Sequence, residues 1–412
     1  MLNPQRTIDE LKDLRALTGN ADGAQRVAFT DTWKRARAWY RAKLDALGLT
    51  IELDAAANLW ATLPGATADA VVIGGHLDSV PNGGWLDGCL NVLAGLEVVR
   101  AIAADGRPPV TVRLVDWADE EGARFGRSLF GSSAASGTMV PAELAVLRDK
   151  DGIALPDAVA PFGVDLARIL DARHQLARAK AYLELHIEQG PVLLDRGEAL
   201  GVVIGTFGVE RHSIRFTGQA AHSGSTPMNR RRDALGAAAR FHLAIREIAV
   251  RHGGVCTCGS VKTLPGIVTS VVAQCDITLD QRHMDAEHLA AMHREAVEAS
   301  ERFAQEERCE VAWSKLWRIE PIPFDPTLQD FCEEAVRAVT GVAHRMPSGP
   351  LHDAAEVARA GVPTVMMFTQ SLHGISHNKI EDTREDHLAM SVRALELLAR
   401  RTIAWVAAGR RR

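Results

Sequence analysis

Apolar and polar positions along this chain fall into two textures. Residues 71–75 (VVIGG) are uniformly apolar or small and end at His76, which predicts a short strand buried on both faces. A helical pattern follows, with apolar residues at Leu90, Leu93, Leu96, Val98 and Val99. The same order recurs. VTVRLVDW (110–117) runs into ADEEG, AYLELHIEQGP (181–191) keeps strand character until Gly190-Pro191, and VPTVMMF (362–368) leads into TQSLHGISHN. Strands that alternate with helices predict an open α/β architecture with a mostly parallel sheet. In all four cases the chemically capable side chains come at the C-terminal end of the strand, where open α/β sheets bind their ligands.

Between Gly205 and about Asp325 the texture changes. HSIRFTG (212–218) and CDITLDQR (275–282) alternate like half-buried strands, around helical patterns at 231–249 and 286–306. This mixture predicts a smaller α+β domain over 208–325, inserted into an α/β domain made of 1–207 and 326–412. Residues 153–170 lack clean periodicity and read as loop and short helix. No internal repeat or low-complexity segment stands out.

Composition narrows the classes. A chain of 412 residues is long for one core and suits two domains. With 47% hydrophobic and 24% charged residues it falls in the globular class. A net charge of -5 leaves no basic surface for nucleic acid, and the dense basic runs are Arg230–Arg232 and Arg410–Arg412, the latter read as a solvated tail. The opening MLNPQRTIDELKDL is an amphipathic helical pattern without an apolar leader, and no stretch reaches membrane-spanning length, which favours a cytoplasmic protein without a membrane partner. The cysteines Cys89, Cys256, Cys258, Cys275, Cys309 and Cys332 show no disulfide framework, and Cys256-x-Cys258 reads as small packed side chains.

The stretch GGHLDSVPNGGWLDG (74–88) holds His76 and Asp87 at the two ends of a turn too rich in Gly and Pro to be a helix. Taken alone the pair is open to two readings, a strand-end histidine with an Asx turn, or an imidazole and a carboxylate on one divalent ion. The other strand ends add Asp119-Glu120-Glu121, His186, His373 and His377. Four such segments at one sheet edge favour a metal centre. Neighbouring residues of a turn point in different directions, so one of Glu120 and Glu121 can hold metal while the other moves protons.

The stretches HLDSVPNGGWLDG, DEEGARFGRSLFGS, ELHIEQGP, GQAAHSGSTPMNRRRDAL, TLDQR, SGPLHDA and SLHGISHNKIED extend from about residue 70 to residue 382. Together they resemble the N-carbamoyl-L-amino-acid hydrolase, allantoate amidohydrolase and β-ureidopropionase family, a branch of the dinuclear-metal aminoacylases and glutamate-carboxypeptidase-like peptidases. ELHIEQGP and HLDSVPNGG are similar to the amidohydrolase branch rather than to the peptidases. The resemblance implies two divalent metal ions per subunit, zinc first, with manganese, cobalt or nickel also compatible. It implies that Asp87 bridges them, that His76 and His186 flank it, and that Glu121 and His377 complete the shells. Glu120 would be the general base and later the proton donor to the leaving nitrogen. A cis peptide is expected at Asp87-Gly88. His222 would stabilise the oxyanion from the neighbouring subunit of a homodimer, the inserted domain serving as lid and dimerisation element. Gln189, Arg282 and His352 would hold the substrate, with Arg282 gripping a carboxylate.

Two departures bear on the substrate. The family usually has Asn where Thr269 stands and Gly where Leu351 stands, which predicts an unusual substrate end. The function implied is metal-dependent hydrolysis of the carbamoyl or ureido amide bond of an N-carbamoyl-L-amino acid or a related ureido acid such as allantoate. The alternatives are a dipeptidase or N-acyl-amino-acid hydrolase with the same centre, and a non-catalytic small-molecule binding protein of this fold.

Overall fold

The computed structural model describes residues 1–409, so the Arg410–Arg412 run lies outside the described residues. The chain forms two compact units, Met1–Gly205 with the segment from Phe324 onward, and Thr206–Pro323. The divisions read from the sequence were 207/208 and 325/326.

In chain order the principal strands are β1 (Thr50–Leu53), β2 (Leu59–Leu63), β3 (Ala70–His76), β4 (Thr111–Trp117), β5 (Ala179–Ile187), β6 (Leu200–Thr206), β7 (Gly208–Thr217), β8 (Gln274–His283), β9 (Glu310–Ile319) and β10 (Thr364–Thr369). The principal helices are α1 (Pro4–Thr18), α2 (Asp31–Ala46), α3 (Cys89–Ala104), α4 (Ala234–His252), α5 (Ala286–Glu306), α6 (Pro326–Thr340) and α7 (Glu385–Ala407).

The sheet of the first unit runs β6-β10-β5-β3-β4-β2-β1. Its four central strands, β10, β5, β3 and β4, are parallel to their neighbours in that group. The margins are antiparallel, β6 against β10 on one side and β2 and β1 beyond β4 on the other. The α/β architecture expected is present, and its sheet is mixed, parallel at the centre and antiparallel at the margins. Apolar runs report burial and not direction, and the short Asp54–Asn58 connection between β1 and β2 permits only an antiparallel pair. Alternation explains the apolar runs. Val71 and Ile73 enter a core on one face of the sheet with α1, α3, α6 and α7, whereas Val72 enters the other core with Trp33, Trp60 and Trp117. A strand covered on both faces has no polar side to show.

In the second unit β7 lies between β8 and β9, antiparallel to both. Ile214, Phe216 and Ile277 pack there with Phe241 of α4 and Phe303 of α5, the α+β texture expected. Helix α4 starts three residues later than the helical pattern read over 231–249. The Asp233 carboxylate caps it by accepting from the Leu235 and Gly236 N–H groups, and Gly253 at φ 72 ends it. Cys256 and Cys258 pack beside this core and no disulfide forms among the described residues. Among the described residues, no helix is long and apolar enough to cross a membrane.

Candidate metal centre

The parallel order of β3, β4, β5 and β10 brings their C-terminal ends to one edge of the first unit. His76 is the last residue of β3, Glu120 and Glu121 follow β4, His186 lies next to last in β5, and His377 sits in the loop after β10. Asp87 comes from the turn between β3 and α3. His76, His186, Asp87 and Glu120 are all buried, and the His377 side chain is about half exposed, at 51%.

Asp87 stands between two groups of donors. Its Oδ1 lies 3.1 Å from His186 Nε2 and 3.8 Å from His76 Nε2. Its Oδ2 lies 3.3 Å from His377 Nε2, which is itself 3.2 Å from Glu121 Oε2. His76, Asp87 and His186 thus form one cluster with metal-ligand spacing, and Asp87, Glu121 and His377 form a second, joined through the two oxygens of one carboxylate. Glu120 diverges from Glu121, with its Oε2 3.8 Å from His76 Nε2 and its Oε1 3.9 Å from His352 Nδ1.

Neighbouring carbonyls set the tautomers. His76 Nδ1 is 3.2 Å from the Asp78 carbonyl and His186 Nδ1 is 2.9 Å from the Ile187 carbonyl. A carbonyl can only accept, so each Nδ1 carries a proton and each Nε2 is turned toward Asp87, the orientation of a metal-ligating imidazole. His76 Nε2 is buried without a hydrogen-bond partner.

Charge points the same way. Burial together with the charges of Asp353, Glu121 and Asp87 pushes the Glu120 carboxyl well above the usual range. Burial alone would raise Asp87 too, but hydrogen bonds from His186 and His377 hold it well below that range. Burial would lower His186, yet its hydrogen bond to Asp87 and that charge raise it to about 9. Hydrogen bonds to Asp87 and Glu121 raise His377 to about 10. Buried carboxylates facing imidazole nitrogens demand positive charge between them, and divalent cations meet that demand by displacing protons from the same donors. The donor set of imidazole nitrogens and carboxylate oxygens suits zinc-like ions.

The backbone is made for this geometry. Gly88 lies at φ 65, and a Cβ there would stand 2.4 Å from three atoms of the His76 ring. The expected cis bond at Asp87-Gly88 is not found, the cis bond among the described residues being Leu264-Pro265. The chain turns after Asp87 through the φ of Gly88 instead. Asp119, Gln189, His373 and His377 also adopt positive φ, a concentration of strained backbone around one site.

Two supporting carboxylates were missed by sequence reasoning. Asp78 accepts from the Glu120 and Glu121 N–H groups at 3.3 and 3.2 Å, tying the turn after β3 to the turn after β4. Glu381 accepts from the Leu86 and Asp87 N–H groups, each at 3.1 Å, and from Ser376 Oγ at 2.6 Å. Both lie within motifs already singled out, HLDSVPNGG and NKIED, where an acidic residue beside the expected ligands was the available signal.

The residues expected at the substrate are spread over both units. In the first, Gln189 turns its amide onto Asp87 Oδ2 at 2.9 Å. His352 is buried, with its ring 4.2 Å from that of His186, and Leu351 precedes it half-buried. In the second, His222 is exposed beside the turn that holds Thr269, whose carbonyl accepts from Ser223 N at 2.9 Å. Arg282 on β8 pairs with Asp280 at 2.8 Å.

Known proteins resemble this chain over most of its length. An N-carbamoyl-L-amino acid amidohydrolase from Geobacillus stearothermophilus is 36% identical over 371 residues, 88% of this chain and 90% of that protein. An allantoate amidohydrolase from Escherichia coli K12 is 33% identical over 395 residues, 93% of this chain and 94% of that protein. The crystal structure of an amidase of the hydantoinase/carbamoylase family from Burkholderia multivorans matches 97% of this chain and 98% of its own, at TM-score 0.88 and 31% identity. The pattern of peptidase family M20/M25/M40 is matched over residues 72–401. The chain is a hydrolase that belongs to peptidase family M20/M25/M40, in its branch of N-carbamoyl-L-amino-acid and allantoate amidohydrolases.

Proposed function

We propose that the protein is a metal-dependent amidohydrolase that cleaves the carbamoyl or ureido amide bond of an N-carbamoyl-L-amino acid or a related ureido acid such as allantoate. The observation that carries the reading is the single carboxylate of Asp87 shared by two donor clusters. His76 and His186 would hold one divalent ion, Glu121 and His377 the other, and Asp87 both, with zinc the first candidate. Bound there, the ions supply Lewis acidity towards a poorly electrophilic ureido carbonyl and make hydroxide accessible near neutral pH.

The chain's own residues do the rest. Glu120, outside both clusters, takes the proton of the attacking water and passes it to the departing nitrogen. Gln189 and Ser376, both hydrogen-bonded to Asp87 Oδ2, keep that carboxylate in place. His222 Nδ1 accepts from the Gly224 and Ser225 N–H groups at 3.1 and 3.2 Å, so its Nε2 carries the proton and is a donor fit for an oxyanion. Arg282 would grip the substrate carboxylate and His352 a polar group of the substrate, and the departures at Thr269 and Leu351 would favour a side chain the usual members do not.

The active form is a homodimer in which His222 acts across the interface. In support, Leu235, Leu243 and Val250 are exposed at near-helical spacing along α4, and Val255, Val261 and Leu264 are exposed on the strands that pair with β8. Apolar stripes of this kind mark association surfaces.

The test is a panel of N-carbamoyl, ureido, N-acyl and dipeptide substrates, assayed with native, chelator-treated and Glu120→Gln protein. Chelation should abolish turnover, and Glu120→Gln should keep its metal while losing about three or more orders of magnitude in kcat. Near-normal turnover in Glu120→Gln would reject the mechanism, and activity confined to dipeptides would reject the substrate class.

A further inference from the structure

The second unit contains a cluster with no part in the proposed reaction. Strand β7 alternates, so Glu210 and His212 share the inward face with Ile214 and Phe216, and His293 of α5 meets them there. One donor atom from each of the three lies within 4.8 Å of the others. Glu210 is 3% exposed and His212 5%. His212 Nε2 is 3.2 Å from Glu210 Oε1, and the His212 and His293 rings stack with centroids 4.4 Å apart.

This corner is rich in unmet polar atoms. Glu210 Oε2, His212 Nδ1 and His293 Nδ1 are buried without partners. Gln281 stands opposite Glu210 in the β7–β8 register, wholly buried, and neither its Oε1 nor its Nε2 finds a partner. Buried polar atoms are almost always satisfied, so several orphans in one place mark a missing occupant. The nearby cation, Arg318, comes only to 3.9 Å of Glu210 and bonds Glu320 at 2.8 Å. Trp313 walls the corner, its ring 5.2 Å from that of His212 and 5.3 Å from that of His293.

We propose that Glu210, His212 and His293 form an additional divalent transition-metal site inside the second unit, with the Gln281 amide oxygen as a fourth donor. Two imidazoles and a carboxylate are a zinc donor set, and an amide oxygen completes four-coordination. Spacing along the sequence could not suggest this, since the pair Glu210-x-His212 meets His293 only through the packing of α5 on the sheet.

The experiment counts zinc. Full-length protein is stripped with chelator, re-equilibrated with zinc, desalted and assayed for metal per chain by mass spectrometry, beside His212→Gln/His293→Gln. The wild type should carry one more zinc per chain than the double variant, and a central-site variant, Asp87→Asn/His186→Gln, should still carry an ion that adding His212→Gln removes. Equal zinc in wild type and a double variant of native circular dichroism would overturn the site. Trp313 gives an independent readout should that variant fail to fold. Cobalt(II) should quench a component of fluorescence that Trp313→Phe lacks, and equal quenching in both proteins would overturn the proposal as well.

Discussion

Gly88→Ala tests whether the turn after Asp87 sets the geometry of His76. The new Cβ would meet three atoms of the His76 ring at 2.4 Å, where ordinary contact begins near 3.4 Å, so the ring must retreat by about 1 Å. It cannot do so freely, because its Nδ1 is held by the Asp78 carbonyl. The backbone adds its own penalty, since Ala at φ 65 and ψ -45 costs about 1–3 kcal/mol. A misplacement of about 1 Å at a catalytic centre is worth roughly 100-fold in rate. The variant should therefore lose about 100-fold in turnover, with weaker metal retention and a lower urea midpoint. Gly48→Ala is the control, because Gly48 also has positive φ, at 71, but open space where the Cβ would go. It should lower the urea midpoint and leave turnover unchanged. Turnover within threefold of wild type in Gly88→Ala, at equal metal content, would refute the reasoning.

Further outcomes follow from other parts of the molecule. Glu120→Ala and His222→Ala chains should each be nearly inactive alone, whereas verified mixed dimers should recover about half of wild-type turnover per dimer, one complete site being restored in each; no recovery would mean that His222 serves its own chain. Arg282→Ala should lose about 2–5 kcal/mol in kcat/KM for substrates bearing a carboxylate, and equal loss on the corresponding amides would show that Arg282 matters only through Asp280. Glu10 receives Lys43 of α2 and Arg100 of α3; burial would raise its carboxyl, but these partners hold it below the ordinary range. Its contribution is therefore present above the unfolded value near 4.3 and is lost as pH falls through the folded one, so Glu10→Gln should be about 1 kcal/mol less stable at pH 7 and equal to wild type in acid. A stability gap that persists in acid would assign the effect to packing.

The clustering of these donors was legible because parallel strands deliver their C-terminal ends to one edge, so polar residues after apolar runs already share a location. His76, Glu121, His186 and His377 each follow that pattern, and Asp87 is marked by the Gly beside it. What could not be read was carried by hydrogen bonds across long sequence separations. Asp78 acts on backbone 42 and 43 residues away, and Glu381 on backbone 294 and 295 residues away. Strand direction was hidden for a different reason: β1, β2 and β6 carry side-chain patterns that serve equally in either orientation. The helical pattern was read from Arg231, but the Arg231 guanidinium donates to the Ser223 and Thr226 carbonyls and Asp233 caps the helix, so α4 begins at Ala234.

Strand β10 lies between β5 and β6, although both precede it in the chain by more than the whole second unit. A ribosome therefore delivers β6 about 160 residues before the strand that will join it to the sheet, a delay of roughly 10–30 s at ordinary elongation rates. During that interval β5, with His186 on it, has a free edge, and the second unit has time to fold from its own local pairings. The His186 side of the centre is thus waiting when His377 emerges, and closing the sheet and completing the donor set become one late event. Nascent chains stalled before Thr364 should be the ones that aggregate, because an apolar central strand with an open edge is what a growing chain can least leave exposed.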